Sequence, residues 1–371
     1  MHVHVSDIRP LLENMKKFDA SDLHLKVGLP PFFRVHGALR KIDADPLDAD
    51  TIQQLMTSII PPRKRADFEQ HGNLDFSYQL EDGDRFRVCV FRCADQMHAA
   101  VRRVTGEIPA FDSLHLPDQY RDLAERTNEG LIIVCGITGA GKSTTIASMI
   151  DHVNSMRAVN IVTIEDPVEY RFKPDKAIIS QREIGIDIPD YEEGLKFAVR
   201  QDPDVIFIGE MRDRQTMLAG IQAAETGHLV FSTLHSADTA QAFSRILEFF
   251  EKQDHAFIRN ALANSLVAIL AQRLLAGADA KTPRVPATEI LLNTPTLRDL
   301  IRKGRDQEIP ALINASADAG MHNMTQSLAK LVLDGMVFHD EAMKHAPNRD
   351  ALAGLLRGIQ SGGGGMVRGH G

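Results

Sequence analysis

Apolar and polar positions follow two different rhythms along this chain. Before about residue 110 the period changes repeatedly. Ile8, Leu11, Leu12 and Met15 recur at helical spacing and predict a first helix. Leu23-His24-Leu25-Lys26-Val27 alternates as a half-buried strand does, and Gly28-Leu29-Pro30-Pro31 ends it. Phe33-Arg34-Val35-His36-Gly37 reads as a second short strand and turn. Asp48 to Ile60 predicts a helix stopped by Pro61-Pro62. Asp75 to Leu80 and Arg85 to Phe91 flank Glu81-Asp82-Gly83-Asp84, which is a hairpin signal. Residues 1–110 therefore predict a small α+β domain, and Gly106 to Pro117, with two prolines, predicts a linker.

From about residue 118 short apolar runs alternate with helical patterns. Leu131–Cys135, Asn160–Ile164, Val205–Ile208 and Leu229–Ser232 predict strands, and their alternation with helices implies a parallel sheet. Beyond Phe243 the pattern predicts mostly helix, with segments near Ala256–Leu275, Leu297–Lys303, Met324–Asp334 and His339–Lys344. Residues 346–371, closing with the glycine-rich Ser361 to Gly371, predict a flexible tail. The expected division is 1–110, 118–345 and that tail.

Composition narrows the class. A chain of 371 residues favours two domains over one, and 43% hydrophobic with 25% charged residues is ordinary for a globular protein. The formal net charge of -8 and the lack of a clustered basic segment argue against nucleic acid as a partner. Cys89, Cys93 and Cys135 are too few for a disulfide framework. Cys89 and Cys93 have no second thiol pair with which to complete a zinc site, so they read as strand residues. No apolar run approaches the ~20 residues of a spanning helix, so any membrane role is expected to be peripheral.

The chemistry is concentrated after the first of the strands expected in the sheet. Gly136-Ile137-Thr138-Gly139-Ala140-Gly141-Lys142-Ser143 fits the phosphate-binding pattern G-x-x-x-x-G-K-[ST]. Leu131–Cys135 precedes it as a strand, and Ile146, Met149, Ile150 and Val153 follow at helical spacing, which is the context the motif requires. Its glycines let backbone N–H groups wrap phosphate oxygens at a helix N-terminus. Gly136, Thr138, Gly139, Ala140, Gly141, Lys142, Ser143 and Thr144 are the expected nucleotide-binding set. Lys142 is expected at the β- and γ-phosphates, and the Ser143 hydroxyl on Mg²⁺.

Parallel sheets bind ligands at the carboxyl ends of their strands. Glu165-Asp166-Pro167-Val168-Glu169-Tyr170 follows one predicted strand, Gly209-Glu210-Met211-Arg212-Asp213 another, and Ser232-Thr233-Leu234-His235 ends a third. ATP hydrolysis needs a held Mg²⁺, an aligned water and stabilised γ-phosphate charge. Glu165 and Glu210 are candidates to share the first two tasks, with Glu210 also a candidate Mg²⁺ ligand. His235 is the candidate sensor of the γ-phosphate. His228 begins the strand that His235 ends; seven residues at about 3.3 Å each separate them by roughly 20 Å, so His228 reads as structural or as facing another subunit.

These blocks resemble the type II/type IV secretion ATPases and, within them, the PilT-type pilus retraction motors. The resemblance rests on the phosphate loop, on Thr163-Ile164-Glu165-Asp166-Pro167-Val168-Glu169-Tyr170 (similar to the family's Asp box), and on Arg200-Gln201-Asp202-Pro203-Asp204-Val205 through Gly209-Glu210-Met211-Arg212-Asp213 (its variant Walker B region). It rests further on Ala224-Glu225-Thr226-Gly227-His228 through Ser232-Thr233-Leu234-His235 (its His box). Similarity extends from about residue 6 to about residue 345.

The resemblance implies an α/β fold: a RecA-like P-loop ATPase core with a smaller PAS-like α+β N-terminal domain and a helical C-terminal part. It also implies a homohexamer with ATP between subunits, completed by arginines. Arg87, Arg92 and Arg103 fall in the block similar to the family's Arg-rich hairpin and following strand, and Arg200, Arg212 and Arg245 match arginines of the motor domain. ATP and Mg²⁺ are the implied cofactors. An inner-membrane pilus platform protein, and another pilus ATPase, are the implied partners, at the cytoplasmic face of the membrane.

Three departures stand out: Ile137 replaces a usual proline, Cys89 and Cys93 replace polar residues, and Thr296 to Lys303 only partly matches the retraction pattern A-I-R-N-L-I-R-E. The Asp-Leu-Ile-Arg-Lys core of that last segment is shared with PilU-type accessory motors. Assembly ATPases of pili or type II secretion are the remaining alternative; they usually carry a four-cysteine zinc insertion and a larger N-terminal extension, neither of which is present here.

Overall fold

The computed structural model describes residues 6–35, 37–81, 83–104 and 108–358. Two compact units emerge. The first comprises Met1–Glu107 together with Glu165–Arg171 and Gln181–Tyr191; the second comprises Ile108–Ile164, Phe172–Ser180 and Glu192–Gly371.

The first unit is built on six strands: β1 (Ala20–Leu25), β2 (Phe32–Val35), β3 (Ala38–Lys41), β4 (Asn73–Gln79), β5 (Arg85–Cys93) and β6 (Gln96–Val104), in the order β3-β2-β1-β6-β5-β4. Every neighbouring pair is antiparallel. Along β4, Leu74 and Phe76 are buried while Asn73 and Asp75 are exposed, the alternation of a sheet covered on one face. The covering helices are Arg9–Lys17, which buries Leu11, Leu12 and Met15, and Ala49–Ile59, which buries Ile52, Leu55, Met56 and Ile59. Their apolar stripes meet Leu23, Phe76, Phe86, Val88 and Val101 in one core. The Asp48 carboxylate accepts the Thr51 N–H and caps the second helix, a contact worth ~1 kcal/mol.

The other sheet has seven strands: β7 (Gly130–Cys135), β8 (Asn160–Glu165), β9 (Ile178–Glu183), β10 (Val205–Ile208), β11 (Leu229–Leu234), β12 (Leu266–Ala276) and β13 (Arg284–Leu292), in the order β13-β12-β7-β11-β10-β8-β9. Its central strands run parallel: β12 with β7, β7 with β11, β11 with β10, and β10 with β8. β7, β10 and β11 are buried at every residue. That explains why they read as continuous apolar runs rather than alternating ones.

One expectation is overturned here. Ala256–Leu275 is not one helical segment. The helix His255–Ser265 ends and β12 begins at once, followed by β13 as an antiparallel partner. The run Leu266-Val267-Ala268-Ile269-Leu270-Ala271 suits a buried strand or a buried helix by period alone. The flank of β7 decides in favour of the strand, because β7 offers Leu131 to Cys135 an unpaired edge that β12 fills.

β3, β6, β9 and the helix Arg65–His71 were likewise absent from the sequence pattern. Residues 349–356, expected within a flexible tail, form the helix Arg349–Leu356, whose Leu352 is buried against Met324, Leu328 and Val337. The glycine-rich end 359–371, and residues 105–107 of the expected linker, lie outside the described residues. The linker also contains a short 3-10 turn at Phe111–Leu114. Among the described residues no helix is long and apolar enough to cross a membrane.

Candidate functional site

The loop Gly136–Gly141 joins β7 to the helix Lys142–Met156. Three of its glycines have positive φ: 158° at Gly136, 81° at Gly139 and 86° at Gly141. A side chain at Gly136 would stand 2.6 Å from the Gln272 carbonyl oxygen and 2.8 Å from the Ala140 Cβ, so only glycine admits this close approach to β12. Gly141 occupies the N-cap position, and no side chain caps the helix there. An uncapped helix N-terminus with a glycine, which has no Cβ, at its entrance fits an anionic phosphate group. The Lys142 ammonium is buried on the loop, donating to the Gly136 carbonyl at 2.9 Å and the Ile137 carbonyl at 3.3 Å.

Register brings the other polar groups of the second unit to the same edge of the sheet. Ile133 of β7 pairs with Ser232 of β11, and Ser232 with Ile208 of β10, so the carboxyl ends of the three strands align. Side chains fasten that edge. The Ser232 hydroxyl donates to the Ile208 carbonyl at 2.8 Å and the Thr233 hydroxyl to the Gly209 carbonyl at 2.6 Å, while the Met211 N–H reaches the Thr233 carbonyl at 3.1 Å. Asp213 then caps the helix Arg214–Glu225 by accepting the Thr216 N–H.

The result places Glu210 Oε1 3.4 Å from His235 Nε2 and Glu210 Oε2 2.7 Å from Arg212 Nε. Burial and the nearby Lys142 charge hold the His235 imidazole below its ordinary pKa, against the opposing pull of Glu210. That lowering favours the uncharged imidazole. Burial pushes the Cys135 thiol of β7 up to about 12, which leaves it inert.

In the first unit Glu165 is buried, and its Oε1 accepts the Gln181 amide at 3.3 Å. Arg87 and Arg103 line one cavity of about 230 Å³, together with Arg85, Arg102, Glu169 and Tyr170. Antiparallel register sets Arg87 opposite Arg102 on one face, while Arg103 lies opposite the core residue Phe86. Arg103 is tied to Asp84 at 3.3 Å, and the buried Arg85 donates to the Val168 carbonyl at 2.6 Å and to Glu183 at 3.3 Å. Arg92 stands apart from this cavity: it pairs with Glu69 at 2.6 Å and lies over Phe68.

In the second unit Arg200 is exposed beside Phe197, and Arg245 pairs with Glu248 at 2.7 Å. His228 is structural, its Nδ1 lying 2.9 Å from the Ala223 carbonyl and 3.1 Å from the Thr226 hydroxyl. Cys89 is half-buried within β5 and Cys93 is exposed at its end.

Sequence reasoning missed two residues that hold this site. Gln272, fully buried on β12, donates to the Ala140 carbonyl at 2.6 Å and accepts the Thr145 hydroxyl at 3.0 Å. Glu289 on β13 accepts the Thr239 N–H and hydroxyl at 3.0 and 2.6 Å, anchoring the helix that begins just past His235. For Gln272 the one available signal was a polar residue interrupting an apolar run, and the helical reading of 256–275 concealed it; Glu289 lay in a segment similar to the family but was given no role.

Fold and site together define a class: a mixed α/β protein with a glycine-rich loop and a helix N-terminus at the carboxyl edge of a parallel sheet. The chain belongs to the Type II/IV secretion system protein family, whose model matches residues 3–294. It is 36% identical over 340 residues to the type IV pilus retractation ATPase PilT of Pseudomonas aeruginosa, covering 92% of this chain and 98% of that protein. It is equally 36% identical over 351 residues to the type IV pilus ATPase PilU of the same organism, covering 95% and 91%. A crystal structure of the pilus retraction motor PilT with bound ADP superposes with a TM-score of 0.85 at 39% identity, covering 94% of this chain and 99% of that one. The chain is an ATPase of this family.

Proposed function

We propose that this protein is a Mg²⁺-dependent ATP-hydrolysing motor that drives retraction of type IV pili. The observation that carries the reading is the alignment of Lys142, Glu210 and His235 at one sheet edge, in a chain that matches pilus motors over nearly its whole length. The fold is read as a RecA-like motor domain over 118–345 and a PAS-like domain over 1–110.

Gly136, Thr138, Gly139, Ala140, Gly141, Lys142, Ser143 and Thr144 hold the nucleotide phosphates through loop amides and the Lys142 ammonium. Ser143 and Glu210 supply oxygens for Mg²⁺. Among the described residues no group of three acidic, His or Cys side chains makes a metal cage, which suits an ion held by one or two protein oxygens and phosphate. Bound Mg²⁺ supplies neutralisation of phosphate charge.

Glu165 and Glu210 share alignment of the attacking water and reception of its proton. The neutral imidazole of His235, 3.4 Å from Glu210, is set to donate or accept a hydrogen bond without adding charge. Arg87, Arg103, Arg200 and Arg245 are assigned to charge stabilisation in a homohexamer with ATP between subunits. The working site is the cytoplasmic face of the inner membrane, against a pilus platform protein. In that hexamer ATP clamps the N-terminal domain of one subunit onto the neighbouring subunit's motor domain, and loss of the γ-phosphate contact at His235 loosens the clamp and turns hydrolysis into motion.

A PilU-type accessory motor is the second reading, favoured by the equal identity to that relative and by Thr296 to Lys303. Gene deletion with scoring of surface pili and twitching tests both. Retraction predicts excess pili without twitching, and expression of this chain alone in a strain that keeps its assembly ATPase but lacks its other retraction ATPases then restores twitching. An accessory role predicts no restoration from this chain alone. Absent pili would point instead to assembly and overturn the proposal.

A further inference from the structure

The phosphate loop is braced from outside by a side chain that no motif contains. Gln272 approaches it from β12, the strand beside β7, and makes two side-chain hydrogen bonds to the loop and the helix that follows. Its backbone oxygen closes off the space behind Gly136. Its Nε2 donates to the Ala140 carbonyl at 2.6 Å and would lie 3.1 Å from a side chain at Gly141. Its Oε1 accepts the Thr145 hydroxyl, in the first turn of the helix, at 3.0 Å. Gln272 is 1% exposed and Thr145 3%, so these bonds form away from competing water.

The peptide between Ala140 and Gly141 is planar, so its carbonyl and its N–H point in opposite directions. Fixing the carbonyl on β12 fixes the Gly141 N–H on the side away from β12. Gly141 is in the left-handed region at φ 86°, where glycine has the least intrinsic preference to hold one conformation. The same amide group then holds Thr145, three residues beyond Lys142, and so fixes the helix whose N-terminus opens on the loop.

We infer that Gln272 is a positioning residue: its side-chain amide locks the loop from Ala140 to Thr145 in the orientation that presents backbone N–H groups to a nucleotide's phosphates. The inference rests on the nucleotide-binding reading of this loop and adds to it a residue from a different strand. Glutamate at this position keeps the shape but replaces the donor with an acceptor facing the Ala140 carbonyl, so the bond becomes a repulsion. A hydroxyl-free Thr145 removes the other bond alone.

The test uses the full chain. ADP is titrated calorimetrically into the wild type, Gln272→Glu and Thr145→Val, and amide hydrogen exchange of 139–143 is followed in nucleotide-free protein. Gln272→Glu is expected to weaken ADP binding about tenfold, the scale of one buried donor lost and its partner left unsatisfied. Loop exchange should rise while thermal melting stays cooperative. Thr145→Val should weaken binding by a smaller factor in the same direction, and it decides the matter if Gln272→Glu does not fold. Unchanged ADP affinity and unchanged loop exchange in the folded variants would overturn the positioning role. Failure of the wild type to bind ADP would instead overturn the nucleotide reading on which it rests.

Discussion

The two sheets of this protein carry their chemistry in different ways. The six-stranded sheet is antiparallel and covered on one face by helices, so its strands alternate and every second residue is available at the other face. Arg87 and Arg102 share one face by that alternation and by cross-strand pairing, and both line one cavity, which the next residue, Arg103, lines as well. In the seven-stranded sheet the central strands are buried from end to end and have no free face. Its polar groups are expelled to the carboxyl ends, where Lys142, Glu210 and His235 collect. A face can offer a row of like charges; an edge can offer converging groups of unlike chemistry. In the reading above, the edge holds and cleaves the nucleotide and the face supplies positive charge.

That division of labour can be broken most sharply at the arginines. Arg87→Ala and Arg103→Ala are each expected to lower turnover by about 10³-fold, the scale of a charge-stabilising arginine, while ADP affinity is unchanged. Steady-state hydrolysis beside ADP calorimetry checks this, and full turnover in both variants would confine the chemistry to the second sheet. Next in size, Glu210→Gln should retain nucleotide binding yet lower kcat by about 10²-fold, as expected for a positioned acid–base group. Wild-type turnover would remove Glu210 from the reaction.

The contrast in burial sharpens through stability. Ile133→Ala in β7 is expected to cost ~2–5 kcal/mol for a fully buried side chain, and Leu39→Ala on the exposed edge strand β3 within ~0.5 kcal/mol. The shift in urea midpoint measures each.

The smallest effect is electrostatic. Because burial and Lys142 depress the His235 pKa while Glu210 raises it, the imidazole should titrate below 6.5 in wild type and lower still in Glu210→Gln. Its NMR chemical shift against pH reads this directly. Charge on His235 then appears only on acidification, and a His235 that titrates above 6.5 would contradict the burial argument.

Much of this was legible before any coordinates. The phosphate loop declared itself because its glycines and Lys-Ser sit at fixed offsets between an apolar run and a helical pattern. The positions of Glu210 and His235 just past strand ends were legible because a short apolar run precedes each, although Ser232 and Thr233 interrupt the second. The helix Ala49–Ile59 was bounded by a cap and a proline pair, both local signals. β3 escaped because all four of its residues are exposed, which leaves no pattern to read.

What the sequence determined by itself was whatever short-range physics encodes: periods, caps, turns and a motif of fixed spacing. What only the tertiary structure decided was pairing between segments far apart in the chain. Leu266 to Leu275 is apolar enough for helix or strand, and the open edge of β7 chose strand. That choice carried Gln272 to the back of the phosphate loop and Glu289 to the helix after His235. Register between β5 and β6 set Arg87 opposite Arg102 at one cavity. Such contacts depend on which strand lies beside which, and that order is set by the free energy of closing the whole sheet rather than by any window of neighbouring residues.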